Sequence, residues 1–107
     1  MSRPFPDEEG ETLTRTKSEK KLKRPPLFKV LLHNDDYTTR EFVVAVLVGV
    51  FRKSEADAVA IMLHVHHHGM GVAGVYPHDV AETKVARVTE LAQEARYPLL
   101  CTMEPEA

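Results

Sequence analysis

Three helix-start patterns punctuate this sequence and constrain the order of its secondary structure. In each pattern a Ser, Thr or Asp residue is followed three positions later by an acidic residue, so that the two side chains can bond free amides of a first helical turn. The patterns are Thr38-x-x-Glu41, Ser54-x-x-Asp57 and Asp79-x-x-Glu82. They predict three helices, and the first pattern assigns the ambiguous apolar run 42–51 to a helix rather than to a strand.

The apolar spacing within each predicted helix indicates which face it buries. In the first helix one face carries Phe42, Val43, Val46, Leu47 and Val50. In the second helix the face expected to point inward carries Ala56, Val59, Ala60 and Leu63. In the third helix the buried face is expected to carry Ala81, Val85, Val88, Ala92 and Ala95. Gly69 suits the left-handed end of the second helix, and Pro98 is expected to stop the third.

Three short apolar runs fill the remaining space and are typical of strands. They are LFKVLLH at 27–33, GVAGVY at 71–76 and LLCTM at 99–103. The resulting order is β-α-α-β-α-β. This order predicts an α+β fold in which a three-stranded antiparallel sheet packs against three helices.

The first 24 residues differ in composition from the rest of the chain. Their only large apolar residues are Phe5, Leu13 and Leu22. Such a segment buries too little apolar surface to offset the entropy lost on ordering it. We therefore expect a flexible N-terminal tail at residues 1–24, ending at Pro25-Pro26, and one folded core at residues 25–107.

Charge and composition exclude several classes of function. The net charge is −2, and the residues from Pro25 onward carry −4, so the core is poorly suited to gripping nucleic acid. The basic stretch KSEKKLKR before the core is interpreted as a solvated linker. No apolar run approaches the ~20 residues that a membrane span needs. The lone cysteine, Cys101, agrees with a reducing compartment, and we expect a cytoplasmic protein without a membrane partner.

Four segments of the chain together resemble one protein family. They are NDDYT with the following EFV, ML-x-VH at 62–66, VAETK at 80–84 and YPLLCT at 97–102. Their order and spacing resemble those of the ClpS family, from about residue 26 to the end. The resemblance implies an adaptor without catalytic activity or cofactor. It would bind proteins through a bulky apolar N-terminal residue and pass them to a Clp AAA+ unfoldase and its protease.

By this resemblance, the substrate α-amine is bound by Asn34, Asp35, Asp36 and His66. An α-ammonium offers three N–H donors, so its receptor needs convergent acceptors, at least one of them anionic. Two alternatives remain open for the loop. It could be a turn that only caps the next helix, or the two carboxylates could serve acid–base catalysis. Catalysis is disfavoured because adjacent Asp side chains point apart and no nucleophile accompanies them.

The resemblance also implies an apolar pocket for the first side chain of the substrate. Its wall would include Leu32, Thr38, Val43, Met62, Val65 and Leu99, with Arg40 at the rim. The alternative is ordinary core, which is strongest for Leu32 and Leu99 on strands. Met62 and Val65 fall outside the predicted buried face of their helix, so they could line a separate concavity.

Two positions depart from the family pattern, which typically has Pro at the position of Thr39 and Met at that of Arg40. We expect Arg40 to stack on an aromatic ligand ring or to pair with Asp35 or Asp36. A preference for N-terminal Phe, Tyr, Trp or Leu therefore rests on the resemblance alone.

VAETK resembles the surface by which the family docks on the N-terminal domain of a ClpA-type unfoldase, with a ClpC-type partner as the alternative. By resemblance Asp79, Glu82 and Lys84 lie at this interface. The two acids have a competing explanation as helix caps. The element order also resembles the C-terminal domain of the ribosomal stalk protein, but that domain has no use for an Asp pair combined with Met62 and His66.

Two further features invite a catalytic or metal-binding interpretation. His64 and His68 have the i, i+4 spacing of zinc ligands, but no third ligand is obvious in the sequence. We expect surface histidines and no metal. Cys101 is expected to be a small buried apolar residue on the last strand rather than a nucleophile.

Overall fold

The computed structural model describes residues 25–107, so the tail predicted at residues 1–24 lies outside the described residues. The elements are β1 (Leu27–His33), α1 (Arg40–Gly49), α2 (Glu55–His68), β2 (Met70–Pro77), α3 (His78–Ala95) and β3 (Leu100–Pro105). Their order confirms the predicted β-α-α-β-α-β arrangement. The structure also confirms the α+β class and the three-stranded antiparallel sheet packed against helices.

The first strand of the chain is the central strand of the sheet. The strand order is β2-β1-β3, and β1 pairs antiparallel with both neighbours. At the end of β1, His33 lies between Met70, the first residue of β2, and Leu100, the first residue of β3. The loop after β1 therefore leaves the sheet at the same end at which β2 and β3 begin. Helix α2 leads into β2 at this end, and the segment after α3 leads into β3.

The core lies between the helices and one face of the sheet. The sheet contributes buried Val30, Leu32, Ala73 and Cys101. Val72, next to buried Ala73, and Leu100, next to buried Cys101, are exposed, as the two-residue period of a strand requires. Val75 is exposed as well, because the pairing of β1 with β2 shifts by one residue between Val72 and Gly74. The helices contribute Val43, Val46, Leu47, Ala58, Val65, Ala81, Val88 and Ala92, and buried Val50 and Phe51 follow directly after α1. These residues include most of the faces predicted for α1 and α3, although Ala95 is exposed.

The face predicted for α2 is wrong. Ala56, Val59, Ala60 and Leu63 are exposed, whereas Ala58 and Val65 are buried and Ile61 and Met62 are half-buried. Positions 58, 61, 62 and 65 repeat the spacing of positions 56, 59, 60 and 63, so helical periodicity alone could not choose between the two sets. The side with the larger residues packs against the core.

Two of the predicted helix starts are also wrong. Thr39 rather than Thr38 caps α1, its hydroxyl accepting a 3.1 Å hydrogen bond from the Phe42 amide. The Thr38 hydroxyl instead donates to the Asp35 carboxylate at 2.7 Å. Helix α3 begins at His78, directly after Pro77, and has no side-chain cap. Asp79 therefore lies inside the first turn.

Two other end signals are confirmed. The Ser54 hydroxyl accepts a 3.1 Å hydrogen bond from the Asp57 amide at the start of α2. Gly69 ends α2 in the left-handed conformation, with a φ of 91°. A residue with a Cβ is strained at such a φ, which explains glycine at this position. The Gly69 turn leads α2 directly into β2.

Gly71 brings β2 unusually close to α2. A Cβ at this position would lie 2.9 Å from Val65 Cγ2 and 3.0 Å from His64 Cδ2. Both neighbours belong to the last two turns of α2. The absence of a side chain at Gly71 therefore sets how closely α2 lies on the sheet.

We expect Gly71→Ala to lower the free energy of unfolding by about 1–3 kcal/mol, because the added methyl overpacks the contact with Val65. Gly49→Ala is the matched control, since its Cβ would meet nothing within 4 Å. Replacing this helical glycine should be neutral or stabilise by up to about 1 kcal/mol. Urea unfolding followed by circular dichroism measures both. Equal stabilities for the two variants would contradict the close packing of α2 on β2.

Candidate functional site

A cleft of about 420 Å³ lies at the end of the sheet where β1 ends and where β2 and β3 begin. Its walls come from the loop after β1, the first turns of α1, the last half of α2 and the residue before β3. The lining residues are His33, Asn34, Asp35, Asp36, Tyr37, Thr38, Thr39, Arg40, Glu41, Val43, Met62, Val65, His66 and Leu99. All the residues predicted for the amine site and the apolar pocket lie in this set except Leu32.

The loop on one side of the cleft is held in place at its start. The backbone amide of Asn34 donates a 2.8 Å hydrogen bond to the backbone carbonyl of Gly69, at the end of α2. The ring of His33 hydrogen bonds the Thr102 hydroxyl of β3 at 2.8 Å through Nε2. The first contact joins the loop to the end of α2, and the second joins the end of β1, from which the loop leaves, to β3. The position of the loop relative to α2 is therefore set by the fold.

Asp35 organises the turn that follows. Its Oδ1 accepts hydrogen bonds from the amides of Tyr37 at 2.8 Å and Thr38 at 2.7 Å, and its Oδ2 accepts the Thr38 hydroxyl. Burial by itself raises the pKa of the Asp35 carboxyl, but the bonds from Thr38 and Tyr37 together outweigh it and hold that pKa below its ordinary value. Both carboxylate oxygens thus already stabilise the turn.

Asp36 is in a different position. It is exposed and lines the cleft, while the hydrogen bonds of the turn described here fall on Asp35. The adjacent carboxylates therefore divide two tasks. Asp35 orders the loop, and Asp36 leaves a negative charge available at the mouth of the cleft.

The interior wall of the cleft is apolar. Val43, Val65 and Leu99 are buried, and Met62 is half-buried beside them. Met62 and Val65 reach the cleft because they belong to the buried side of α2. Leu32 does not line the cleft: its side chain is 0% exposed and lies within the core cluster that contains Val43, Val65 and Leu99. Leu32 thus supports the wall from behind.

Arg40 and His66 meet across the cleft. Arg40 is the first residue of α1, and its Nη2 lies 3.0 Å from Nε2 of His66 in the last turn of α2. A guanidinium has only donors, so His66 accepts this bond through an unprotonated Nε2 and carries its proton on Nδ1. The contact is neither of those expected for Arg40, which were an aromatic ligand and the carboxylates of the loop.

Sequence reasoning missed Tyr37 as a residue of the site. Its side chain is 77% exposed although it is aromatic, and it lines the cleft beside Asp36. An exposed aromatic residue next to a concave site often contacts a ligand. Its place in the NDDYT segment was the available signal, but the prediction used only the polar residues of that segment.

The residues predicted for partner docking are on α3 and do not line the cleft. Asp79 and Glu82 are exposed, and the Asp79 carboxylate contacts the ring of His78 at 3.0 Å. Lys84 is half-buried: its ammonium donates a 2.7 Å hydrogen bond to the carbonyl of Val50, which ends α1. Lys84 therefore also joins α3 to α1.

Two clusters of polar side chains on the helices contain residue types that can bind metals. The rings of His64 and His68 are stacked at 4.2 Å, and His68 Nδ1 hydrogen bonds the carbonyl of His64. A second cluster, missed from the sequence, joins His78, Asp79 and Glu82, whose ligating atoms lie within 4.8 Å of one another. All three side chains are exposed, and exposed acidic groups are common at protein surfaces without an ion. We therefore assign no metal site to this cluster.

Cys101 is buried as predicted, and burial raises the pKa of its thiol to about 12. A thiol with that pKa forms almost no thiolate at neutral pH, so it is a poor nucleophile. Of the helices in residues 25–107, none is both long and apolar enough to cross a membrane.

Comparison with known proteins identifies the family. Residues 23–102 match the family model described as ATP-dependent Clp protease adaptor protein ClpS. The chain belongs to the ClpS family. A curated relative from Myxococcus xanthus (strain DK1622), named ATP-dependent Clp protease adapter protein ClpS, is 66% identical over 94 residues, which cover 88% of each chain. A second ClpS, from Maricaulis maris (strain MCS10), is 58% identical over 99 residues, covering 92% of this chain and 90% of the relative.

A solved structure agrees with the family assignment. The structure of Agrobacterium tumefaciens ClpS2 bound to L-phenylalaninamide is similar to this chain with a TM-score of 0.75 and 51% sequence identity. The match covers 78% of this chain and all of the Agrobacterium chain. The ligand of that ClpS protein carries a free α-amine and a benzyl side chain.

The different tasks of the two loop carboxylates lead to a test. We expect Asp35→Ala to lower the free energy of unfolding by about 1 kcal/mol or more, because three hydrogen bonds of the turn are lost. Asp36→Ala should change it by less than about 0.5 kcal/mol. The pKa of Asp35 is lower in the folded state, so its stabilisation is present above the ordinary value of 3.8 and is lost as the pH falls through the folded value.

Urea unfolding between pH 7 and pH 2.5 measures this effect. The difference in stability between the wild-type protein and Asp35→Ala should shrink in the acid part of the range. An Asp36→Ala variant that is as unstable as Asp35→Ala would show that both carboxylates serve the turn.

Proposed function

We propose that this ClpS-family chain binds the free α-amine and the bulky apolar side chain of a protein's N-terminal residue and delivers that protein to a Clp AAA+ unfoldase and its protease. The observation that carries the proposal is the composition of the cleft. An exposed carboxylate and side-chain acceptors stand at its mouth, and an apolar wall lies behind them. L-Phenylalaninamide, the ligand of the Agrobacterium relative, presents the same two chemical features.

The amine end of the ligand requires charge and acceptors together. An α-ammonium has a pKa near 8, so it is mostly charged at neutral pH and carries three N–H donors. In our proposal Asp36 supplies the negative charge, and the amide oxygen of Asn34 and the imidazole of His66 supply neutral acceptors. Asp35 contributes by ordering the loop and by its own charge. Charge-assisted hydrogen bonds of this kind are stronger than neutral ones.

The side-chain end of the ligand requires apolar contact. The wall formed by Val43, Met62, Val65 and Leu99 is suited to a Phe, Tyr, Trp or Leu side chain, with Thr38 and Arg40 at its margins. Full burial of one such side chain is worth ~1.5–3 kcal/mol. The thioether of Met62 adapts to different shapes and favours aromatic rings. A cleft of 420 Å³ falls within the usual range of small-ligand sites, about 300–1,000 Å³.

Delivery requires a second surface, which we propose to be the start of α3. Asp79 and Glu82 are exposed there, away from the cleft, and are available to the N-terminal domain of a ClpA-type or ClpC-type unfoldase. Lys84 would stand at the margin of this surface, since its ammonium also bonds Val50 within the fold. A ligand in the cleft would leave the docking surface free.

We also propose a division of the chain into an adaptor core and a tail. Residues 25–107 form the adaptor core, and residues 1–24 are a tail that the unfoldase engages during hand-over. The chain itself catalyses no reaction and needs no cofactor, because peptide-bond cleavage occurs in the partner protease. Its site of action is the cytoplasm.

The direct test of recognition compares two peptides that differ only at the α-amine. Acetylating a Phe-initiated peptide removes its charge and two N–H donors, while the acceptors of the cleft are still desolvated. We expect at least a tenfold loss of affinity, measured by fluorescence anisotropy. A Gly-initiated peptide with a free amine is the control for the side chain and should also bind weakly. Equal affinities for the free and acetylated Phe peptides would contradict the proposed function.

A further inference from the structure

The contact between Arg40 and His66 has a consequence for ligand binding. In the proposed function the imidazole of His66 accepts a hydrogen bond from the substrate amine. In this structure the guanidinium of Arg40 donates to Nε2 of His66 at 3.0 Å. A neutral imidazole has one unprotonated nitrogen and hence one acceptor lone pair. Arg40 and an α-ammonium therefore compete for the same atom.

The two competitors are chemically alike. Both are cations that present N–H donors, so exchanging one for the other preserves a positive charge next to Nε2. The contact with Arg40 also requires the proton of His66 to be on Nδ1, which is the tautomer that an incoming amine needs. By donating to Nε2, Arg40 thus also keeps this nitrogen unprotonated and able to accept a hydrogen bond from the amine.

Arg40 has an alternative surface once it leaves His66. A shallow groove between α1 and α2 adjoins the cleft and shares Arg40, Glu41 and Met62 with it. The carboxylate of Glu55 lines the same groove, together with Val44, Ala45, Val48 and Val59. The apolar stem of an arginine can lie along such a surface while its guanidinium turns to a carboxylate or to water.

We infer that Arg40 is a place-holder for the substrate amine: it occupies Nε2 of His66, holds that imidazole in its accepting tautomer, and is displaced when an N-terminal residue binds. This inference rests on the proposed function. Arg40 then lowers the affinity for every N-terminal residue, because each ligand must break the same internal hydrogen bond. It is a positioning residue whose effect passes through His66.

The expected size of the effect is modest. Arg40 and His66 are both exposed, and a hydrogen bond at an exposed site contributes little net free energy. We expect Arg40→Met to raise the affinity for Phe- and Leu-initiated peptides about two- to fivefold. The gain should be similar for the two peptides, since the competition concerns the amine and not the side chain.

A double-mutant cycle tests whether Arg40 acts through His66. Affinities for one Phe-initiated peptide are measured by fluorescence anisotropy for the wild-type protein, Arg40→Met, His66→Ala and the double variant. In the His66→Ala background there is no contact to break, so adding Arg40→Met should leave the affinity unchanged. Arg87→Met is the matched control: it removes the same charge from α3, where Arg87 pairs with Glu90, and should have no effect in either background.

Two results of the cycle would overturn the inference. The same gain from Arg40→Met in both backgrounds would mean that Arg40 acts by general repulsion of the ammonium. A loss of affinity for the Phe peptide in Arg40→Met would mean that Arg40 contributes a contact to the ligand.

A measurement without peptide separates this inference from the proposed function. Nitrogen-15 NMR of the imidazoles in the full-length protein reports the tautomer of His66, with His66→Ala identifying its signals. We expect a dominant Nδ1–H tautomer in the wild-type protein and a mixture of tautomers in Arg40→Met. Identical His66 signals in the two proteins would overturn the inference, whatever the peptide affinities. Equal binding of free and acetylated peptides would instead contradict the proposed function, and with it the displacement of Arg40 by an amine. A shifted His66 signal would then still show that Arg40 sets the tautomer of His66.

Discussion

The hydrogen bond from the backbone amide of Asn34 to the backbone carbonyl of Gly69 is the contact on which the site depends. It joins the loop after the central strand to the end of α2 at 2.8 Å, and these two segments are the opposite walls of the cleft. Gly69 offers its carbonyl there because it takes the left-handed conformation that turns α2 into β2. Gly71 then lets that helix lie close on the sheet. The cleft is thus a product of the chain reversal between α2 and β2.

Electrostatics in the loop follow from the same geometry. Once the loop is anchored, the turn places the amides of Tyr37 and Thr38 around Asp35, and this carboxylate is satisfied within the fold. Asp36 is left exposed at the cleft with its charge unshared by those amides. Across the cleft, the guanidinium of Arg40 bonds His66 rather than a carboxylate. Anionic and cationic side chains thus line the same cleft.

The order of elements and the class of fold could be predicted from the sequence, because the signals for them act locally. These signals are the apolar runs of the strands, the cap at Ser54, the left-handed Gly69 and the helix-stopping Pro98. The buried side of α2 could not, because positions 58, 61, 62 and 65 and positions 56, 59, 60 and 63 have the same spacing, and only the sheet decides between them. The cap at Thr39 was missed because Asp35 engages Thr38. Within the site, the loop residues and Met62 could be predicted from the family resemblance. The Arg40–His66 contact could not, since it joins residues 26 positions apart.

In the proposed function, one cleft binds both the α-amine and the side chain of an N-terminal residue. Mapping the binding surface tests this most directly. Backbone amide NMR spectra of the protein would be recorded during titration with L-phenylalaninamide, with glycinamide as the control that lacks a side chain. We expect saturable shifts at Asn34, Asp36, Met62 and His66, smaller changes with glycinamide, and unchanged signals at Asp79 and Glu82. Saturable shifts confined to another surface, or none at either wall of the cleft, would contradict it.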